Sequence, residues 1–357
     1  MSAIVVLDRP LTGAETQRAI EAILSRLEQI DAVCGKGFPL YYDGAWKVSA
    51  GGSWLGGFWA GLWWLRAVHS GRPTDRQQAL RIAERLRDKL DCDSHHRSLI
   101  FWYGAGLGAQ LLADPQAAAL ASAATQRLAH AFDPVLCCIP LGRELGGGAQ
   151  GDQRLSIDPL AATLNLFALS ADPGLLNLGR QHLHVSFRAC AGIGGAWSSH
   201  AQSVQGQWQP GDRPGNWSRG QAWAMLGLGI GARLYGVPFR DDAQRATQYW
   251  LRSRPMEAPL NRLDHTDGPN DPCAAAMVSL ALQAQARDYT DGEVLLQEAG
   301  RLLAPIVRGS DFDDGRFIGH CYRTSPALEQ KVESVCGSFF LLAALMSLAA
   351  EIDPRHI

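Results

Sequence analysis

The sequence predicts an all-α fold in which six helical hairpins close into a double ring, an inner barrel of helices wrapped by an outer one. Three observations predict it. Twelve segments carry apolar residues at i, i+3, i+4 spacing, the signature of helices with one buried face. Trp54 to Trp64, Arg219 to Ile230 and Pro272 to Ala284 are apolar nearly all round and rich in small residues, as inner helices must be. Asp75 to Leu90 is instead charged along one face, through Arg76, Arg81, Glu84, Arg85, Arg87 and Asp88, as suits an outer helix. An open α-solenoid is the competing architecture, and no fixed-period repeat supports it.

The elements follow in order. The first helix is expected at 14–29, on the stripe Ile20, Ile23, Leu24 and Leu27. Helices at 55–69 and 75–90 come next, the second introduced by Thr74-Asp75 as a cap. Further helices are expected at 98–112, 117–131, 158–170 and 174–188, with Asp158-Pro159 reading as an N-cap followed by proline at the first helical position. The remainder are placed at 219–235, 241–251, 271–286 (again opened by Asp-Pro, Asp271-Pro272), 291–306 and 332–351. Strand signals are sparse: Arg316 to Tyr322 and Ala196 to Trp208 are short hairpins in loops. No low-complexity linker divides the chain, so residues 1–357 are read as a single barrel domain.

Composition narrows the partners. A net charge of −2 gives no reason to expect nucleic acid or an anionic membrane. No apolar run of about 18 residues argues for a membrane span, and Met1 to Thr12 lacks the basic-then-apolar pattern of a secretory leader. The eight cysteines form no CxxC pair, several lie in apolar runs, and Cys137-Cys138 is awkward to bridge. They read as reduced, buried thiols, consistent with a cytoplasmic protein, monomeric or homodimeric.

The most informative segment is Asn216-Trp217-Ser218-Arg219-Gly220-Gln221-Ala222-Trp223, at the start of an apolar helix. Helix starts expose backbone N–H groups and a positive dipole end. An Arg between two indoles there is suited to hold a carboxylate while the rings cover a flat, partly apolar face, which points to an acidic sugar. With Trp54-Leu55-Gly56-Gly57-Phe58-Trp59-Ala60-Gly61, Asp271 before Ala274-Ala275-Ala276, and Glu333-Ser334 before Gly337 and Phe340, this segment gives the chain a pattern from about Gly51 to Leu348. That pattern resembles the unsaturated glucuronyl hydrolases and their unsaturated rhamnogalacturonyl relatives (glycoside hydrolase families 88 and 105). The resemblance implies an (α/α)6 barrel and removal of a terminal uronic acid carrying a C4=C5 double bond, by hydration of a vinyl ether. It implies no cofactor.

The resemblance also assigns roles. It makes Asp158 the general acid/base, although an Asp before Pro is equally an N-cap, and the two roles are compatible. His96 falls where the family carries a second carboxylate, which changes the local charge from negative to neutral or positive near neutral pH. The pKa of Asp158 is therefore expected to be lower than in the family. His95 and His96 together carry no expectation of a metal, because adjacent residues point apart and no carboxylate cluster completes a site. His200 is either a substrate-binding histidine near the acid/base or a loop histidine packed on tryptophan. Gln209, ten residues before Arg219, is implied to contact the uronate, and Arg219 to bind its carboxylate in bidentate fashion. Trp54, Trp217, Gln221 and Trp223 complete the implied binding set, the tryptophans as stacking partners. Ser334 and Ser338 either reach a carboxylate or bond their own helix. Two further readings remain beside the hydrolase: a divergent barrel enzyme acting on another small acidic substrate, and a non-catalytic sugar-binding protein.

Overall fold

The computed structural model describes residues 9–237, 239–254, 258–289, 292–325 and 328–357. Six inner helices run parallel to one another: α2 (Gly56–Ser70), α4 (Arg97–Phe101) continued by α5 (Leu107–Leu112), α7 (Leu160–Leu169), α9 (Ser218–Tyr235), α11 (Pro272–Ala286) and α13 (Val335–Leu348). Each packs on the next, and α13 returns to α2, which closes the ring. Six outer helices alternate with them in sequence: α1 (Gly13–Cys34), α3 (Pro73–Glu84), α6 (Pro115–His130), α8 (Pro173–Cys190), α10 (Phe239–Ser253) and α12 (Gly292–Arg308). This is an (α/α)6 barrel. Among the described residues, no helix is long and apolar enough to cross a membrane.

The difference between rings follows from side-chain distribution. In α2, α11 and α13 nearly every residue is buried, whereas α3 buries only Asp75, Ala79, Ile82 and Ala83. Outer helices begin at local signals. Thr12 and Glu15 form a reciprocal capping box on α1, and Asp114 and Asp172 each accept backbone N–H groups ahead of a proline. The barrel axis is filled rather than open. Phe58 stacks on Tyr103 at 4.4 Å, Phe339 and Phe340 meet both rings edge-on or tilted, and Trp223 meets Phe340 at 5.3 Å.

Close approach of the inner helices depends on glycine. A Cβ on Gly57 would lie 2.5 Å from the Ile100 carbonyl oxygen and 2.7 Å from the Leu99 oxygen, both backbone atoms of the neighbouring helix. Gly57→Ala must therefore push α2 off α4. The expected result is a loss of about 1–3 kcal/mol of stability, read as a lower denaturation midpoint. An unchanged midpoint would contradict this packing.

The strands differ from expectation. The helix expected at 75–90 ends at Glu84, and the one expected at 332–351 starts at Val335, because Leu328–Ser334 forms strand β9 against β8 (His320–Ser325). A hairpin not foreseen, β1 (Phe38–Asp43) and β2 (Ala45–Ser49), turns at Gly44 with φ of +70°. β1 then pairs with β9, Tyr41 opposite Ser334 and Tyr42 opposite Glu333. Arg26 of α1 secures the junction with two bonds to the buried Glu333 carboxylate, at 2.9 and 2.8 Å. A second sheet joins β3 (Arg154–Ser156), β4 (His200–Val204) and β5 (Gln207–Pro210), the β4–β5 hairpin overlapping the one expected at Ala196 to Trp208 and running two residues past it. β6 (Phe312–Asp313) and β7 (Arg316–Phe317) make a third.

Candidate active site

The singled-out residues converge because of where they stand on the inner helices. Trp54 precedes α2, His96 precedes α4, Asp158 precedes α7, Trp217 precedes α9, Asp271 precedes α11 and Ser334 precedes α13. Parallel helices bring these six starts to one mouth of the barrel. Their N-terminal dipoles all point positive ends there, a setting that favours an anion.

Asp158 is not a cap. The N-cap of α7 is Pro159, and no side chain bonds that helix end. Asp158 Oδ1 is sealed from solvent without a hydrogen-bond partner, although the residue as a whole is only partly buried. Burial raises its pKa to about 7, the charge of Asp212 pushes in the same direction, and Arg219 opposes. The capping reading of Asp158 therefore falls, and a carboxyl group poised between its two protonation states replaces it.

Burial lowers the His96 pKa below the ordinary histidine value, so of the two charge states expected there, neutral or positive, the residue takes the neutral one near neutral pH. Its Nδ1 meets the Leu145 carbonyl oxygen at 3.2 Å, and its ring lies 6.4 Å from that of Trp54. Trp54 also meets Phe58 edge-on and is partly exposed, so His96 and Trp54 form an uncharged wall of the mouth. His95 turns elsewhere, with Nε2 against Thr163 Oγ1 at 2.8 Å and its ring edge-on to His182.

On the opposite loops, His200 opens β4 and its Nδ1 contacts Ser199 Oγ at 3.0 Å. Ser199 Oγ donates to Asp212 Oδ2 at 2.6 Å, and the Ser199 N–H donates to Asp212 Oδ1 at 2.9 Å. Ser198 Oγ also donates to Asp212 Oδ1. Burial lowers the His200 pKa against the pull of Asp212. Asp212 is the carboxylate that sequence reasoning missed. It lies in the Pro210 to Gly215 loop, and no local pattern marks it. Gln209 sits exposed on β5, opposite Gln202.

Arg219 is already committed within the protein. Its Nη1 donates to Asp271 Oδ2 and its Nη2 donates to the Cys321 carbonyl oxygen at 2.8 Å, so it does not present a free two-pronged fork. A buried guanidinium needs a counter-charge, and Asp271, wholly buried, provides it. Desolvation lifts the Asp271 carboxyl to about 6 despite that partner. Trp217 lies 5.0 Å from the guanidinium carbon, and its Nε1 donates to Asn261 Oδ1 at 3.0 Å.

Four other residues of the expected binding set have structural surroundings. Gln221 is fully buried, its Oε1 accepting from the Trp197 N–H and its Nε2 donating to the Gly195 and Ala246 carbonyls. Trp223 belongs to the aromatic core. Ser334 caps α13, accepting the Gly337 N–H at 3.0 Å. Ser338 is buried on the same helix. Two cavities are present among the described residues. One, of about 250 Å³, is at the far ends of α9 and α11 around Arg233 and Gln285; the other, of about 380 Å³, is beside His95 and Asp152.

No family model matches the sequence. Among characterised proteins, the unsaturated glucuronyl hydrolase of Bacillus sp. (strain GL1) is 24% identical over 351 residues, covering 88% of this chain and 91% of that one. The chain resembles the unsaturated glucuronyl hydrolases. The crystal structure of unsaturated glucuronyl hydrolase from Bacillus sp. GL1 superposes with a TM-score of 0.83 at 20% identity, over 94% of this chain and 97% of that chain. An unsaturated glucuronyl hydrolase mutant from Streptococcus agalactiae, complexed with dGlcA-GalNAc6S, superposes with a TM-score of 0.76 at 16% identity, over 96% of this chain and 93% of that chain. The barrel fold of the unsaturated glucuronyl hydrolases is thus matched from end to end.

Proposed function

We propose that the protein is a glycoside hydrolase that removes a terminal 4,5-unsaturated uronic acid from oligosaccharides, with Asp158 as general acid/base. The observation that carries this reading is the Asp158 carboxyl, its Oδ1 sealed without a hydrogen-bond partner and its pKa raised to about 7, set at a mouth ringed by six helix N-termini. A pKa close to the working pH is what a residue needs to give and retake a proton in one cycle. The similarity to proteins named unsaturated glucuronyl hydrolase supports the substrate class.

In this mechanism the protonated Asp158 delivers its proton to C4, and positive charge develops at C5 and the ring oxygen. Water adds at C5 and loses a proton to the Asp158 carboxylate, which restores the acid. The hemiketal so formed opens and expels the aglycone. Because one carboxyl serves both steps, the spacing rule for paired glycosidase carboxylates does not apply. His200, tied through Ser199 to Asp212, and Trp54 beside His96 are the candidates to orient the sugar. Arg219 contributes positive charge toward the uronate while remaining paired with Asp271.

The test is incubation with a lyase-generated unsaturated disaccharide, following loss of ultraviolet absorbance as the double bond is consumed. The expected kcat/KM falls as pH rises through about 7, since the acid form of Asp158 is then lost. Absence of decay at every pH between roughly 4 and 8, the range spanning this titration, refutes the proposal. The replacement of the family carboxylate by a neutral His96 favours one alternative, a different small acidic substrate. Tight uronate binding without turnover would instead favour the sugar-binding reading.

A further inference from the structure

We propose that Cys273, Cys336 and His320 form a binding site for a thiophilic divalent cation, Zn2+ above all, beside Arg219. One ligand atom from each residue lies within 4.8 Å of the others, and all three residues are essentially sealed from solvent. They come from three separate elements, so no short motif announces them: Cys273 in the first turn of α11, His320 at the start of β8, and Cys336 in the first turn of α13.

The donor chemistry selects the ion. Two sulfurs and one imidazole suit Zn2+ and exclude the oxygen-seeking Mg2+ and Ca2+. Both cysteines stand in the first turns of inner helices, so their thiols are brought to the same end of the barrel. Two thiolates and one neutral imidazole around a divalent ion make a cluster of zero net charge. The adjacent Arg219–Asp271 pair is also neutral, so it does not repel the ion. His320 Nδ1 is held by Ser334 Oγ at 2.5 Å, the kind of hydroxyl partner that fixes the orientation of a ligating ring. Three protein ligands leave a fourth position open.

The location gives the ion a structural effect. Cys273 lies two residues after Asp271, and His320 immediately precedes Cys321. Asp271 and the Cys321 carbonyl are the two groups that hold Arg219. An ion on Cys273 and His320 would therefore pin both arms of the Arg219 cradle.

The experiment uses the full chain stripped with a chelator and titrated with Co2+ and then Zn2+. The expected result is one equivalent per chain, a thiolate-to-cobalt charge-transfer band that Zn2+ bleaches, and a higher Tm with Zn2+. Cys273→Ser and Cys336→Ser should each abolish that band, and Ser334→Ala should weaken binding by about 10–100-fold. Should a variant fail to fold, protection of the wild-type thiols from alkylation by Zn2+ decides the same point. A cobalt spectrum without thiolate bands overturns the proposal. So does joining of Cys273 to Cys336 by a mild disulfide oxidant that proceeds unhindered by Zn2+, which would identify a redox pair instead.

Discussion

Asp158→Asn is expected to lower the rate of hydrolysis by about 10²–10⁴-fold or more while leaving the fold intact, because the amide cannot donate the proton that starts the reaction. The same variant should be more stable than the parent above neutral pH. An aspartate titrates near 3.9 in the unfolded chain, and this one near 7 in the folded protein. Between these values the folded state binds the extra proton, so stability is greatest at low pH and declines as pH rises toward 7. Asn carries no charge to desolvate, and the decline assigned to residue 158 should vanish. Chemical denaturation of both proteins at about pH 5 and pH 8, either side of the folded pKa, reads the effect. Undiminished turnover in Asp158→Asn would remove this residue from the mechanism, whatever the stability data show.

The second large effect belongs to Arg219. Arg219→Ala strands the Asp271 carboxylate in a site with no access to water, and breaking a buried pair from one side costs about 3–5 kcal/mol. The denaturation midpoint should fall accordingly, and hydrolysis should be lost with it. Arg219→Met combined with Asp271→Asn should recover much of the stability but none of the activity, since it removes both charges together. Arg219→Lys keeps the charge but lacks the planar fork that reaches Asp271 and the Cys321 carbonyl at once, so it should fall between. If Arg219→Ala unfolds at the wild-type midpoint, the pair is not the anchor described here.

The helices were legible because each is an apolar stripe of ten to twenty residues, and a stripe is a local property. The twelve expected segments each coincide with a helix of the double ring, to within a turn or two at the ends. The β1–β9 pairing was not legible, because Tyr41 and Ser334 meet across nearly the whole chain and neither flank alternates cleanly. At the mouth, residue types pointed to the right loops, but partners did not follow from type. The Asp-Pro step at 158 has the composition of a cap, and only the path of the backbone shows the carboxyl turned away from the helix end. Gln221 lies within the segment that identified the site, yet helix periodicity aims it outward to the Gly195 and Ala246 carbonyls. Arg219 finds its counter-ion 52 positions away, on the next inner helix, and Asp212 acts from an irregular loop.

The junction of β1 with β9 also bears on how the chain is made. Ser334 and Glu333 emerge from the ribosome about three hundred residues after their partners Tyr41 and Arg26. Until α13 arrives, the first five inner helices form an open arc whose flanks, meant for Phe339 and Phe340, face water. Closing so long a loop is slow, and the exposed apolar edges invite association with other chains. The ring therefore stays unclosed until α13 emerges, and chaperone demand should peak just before that helix is released.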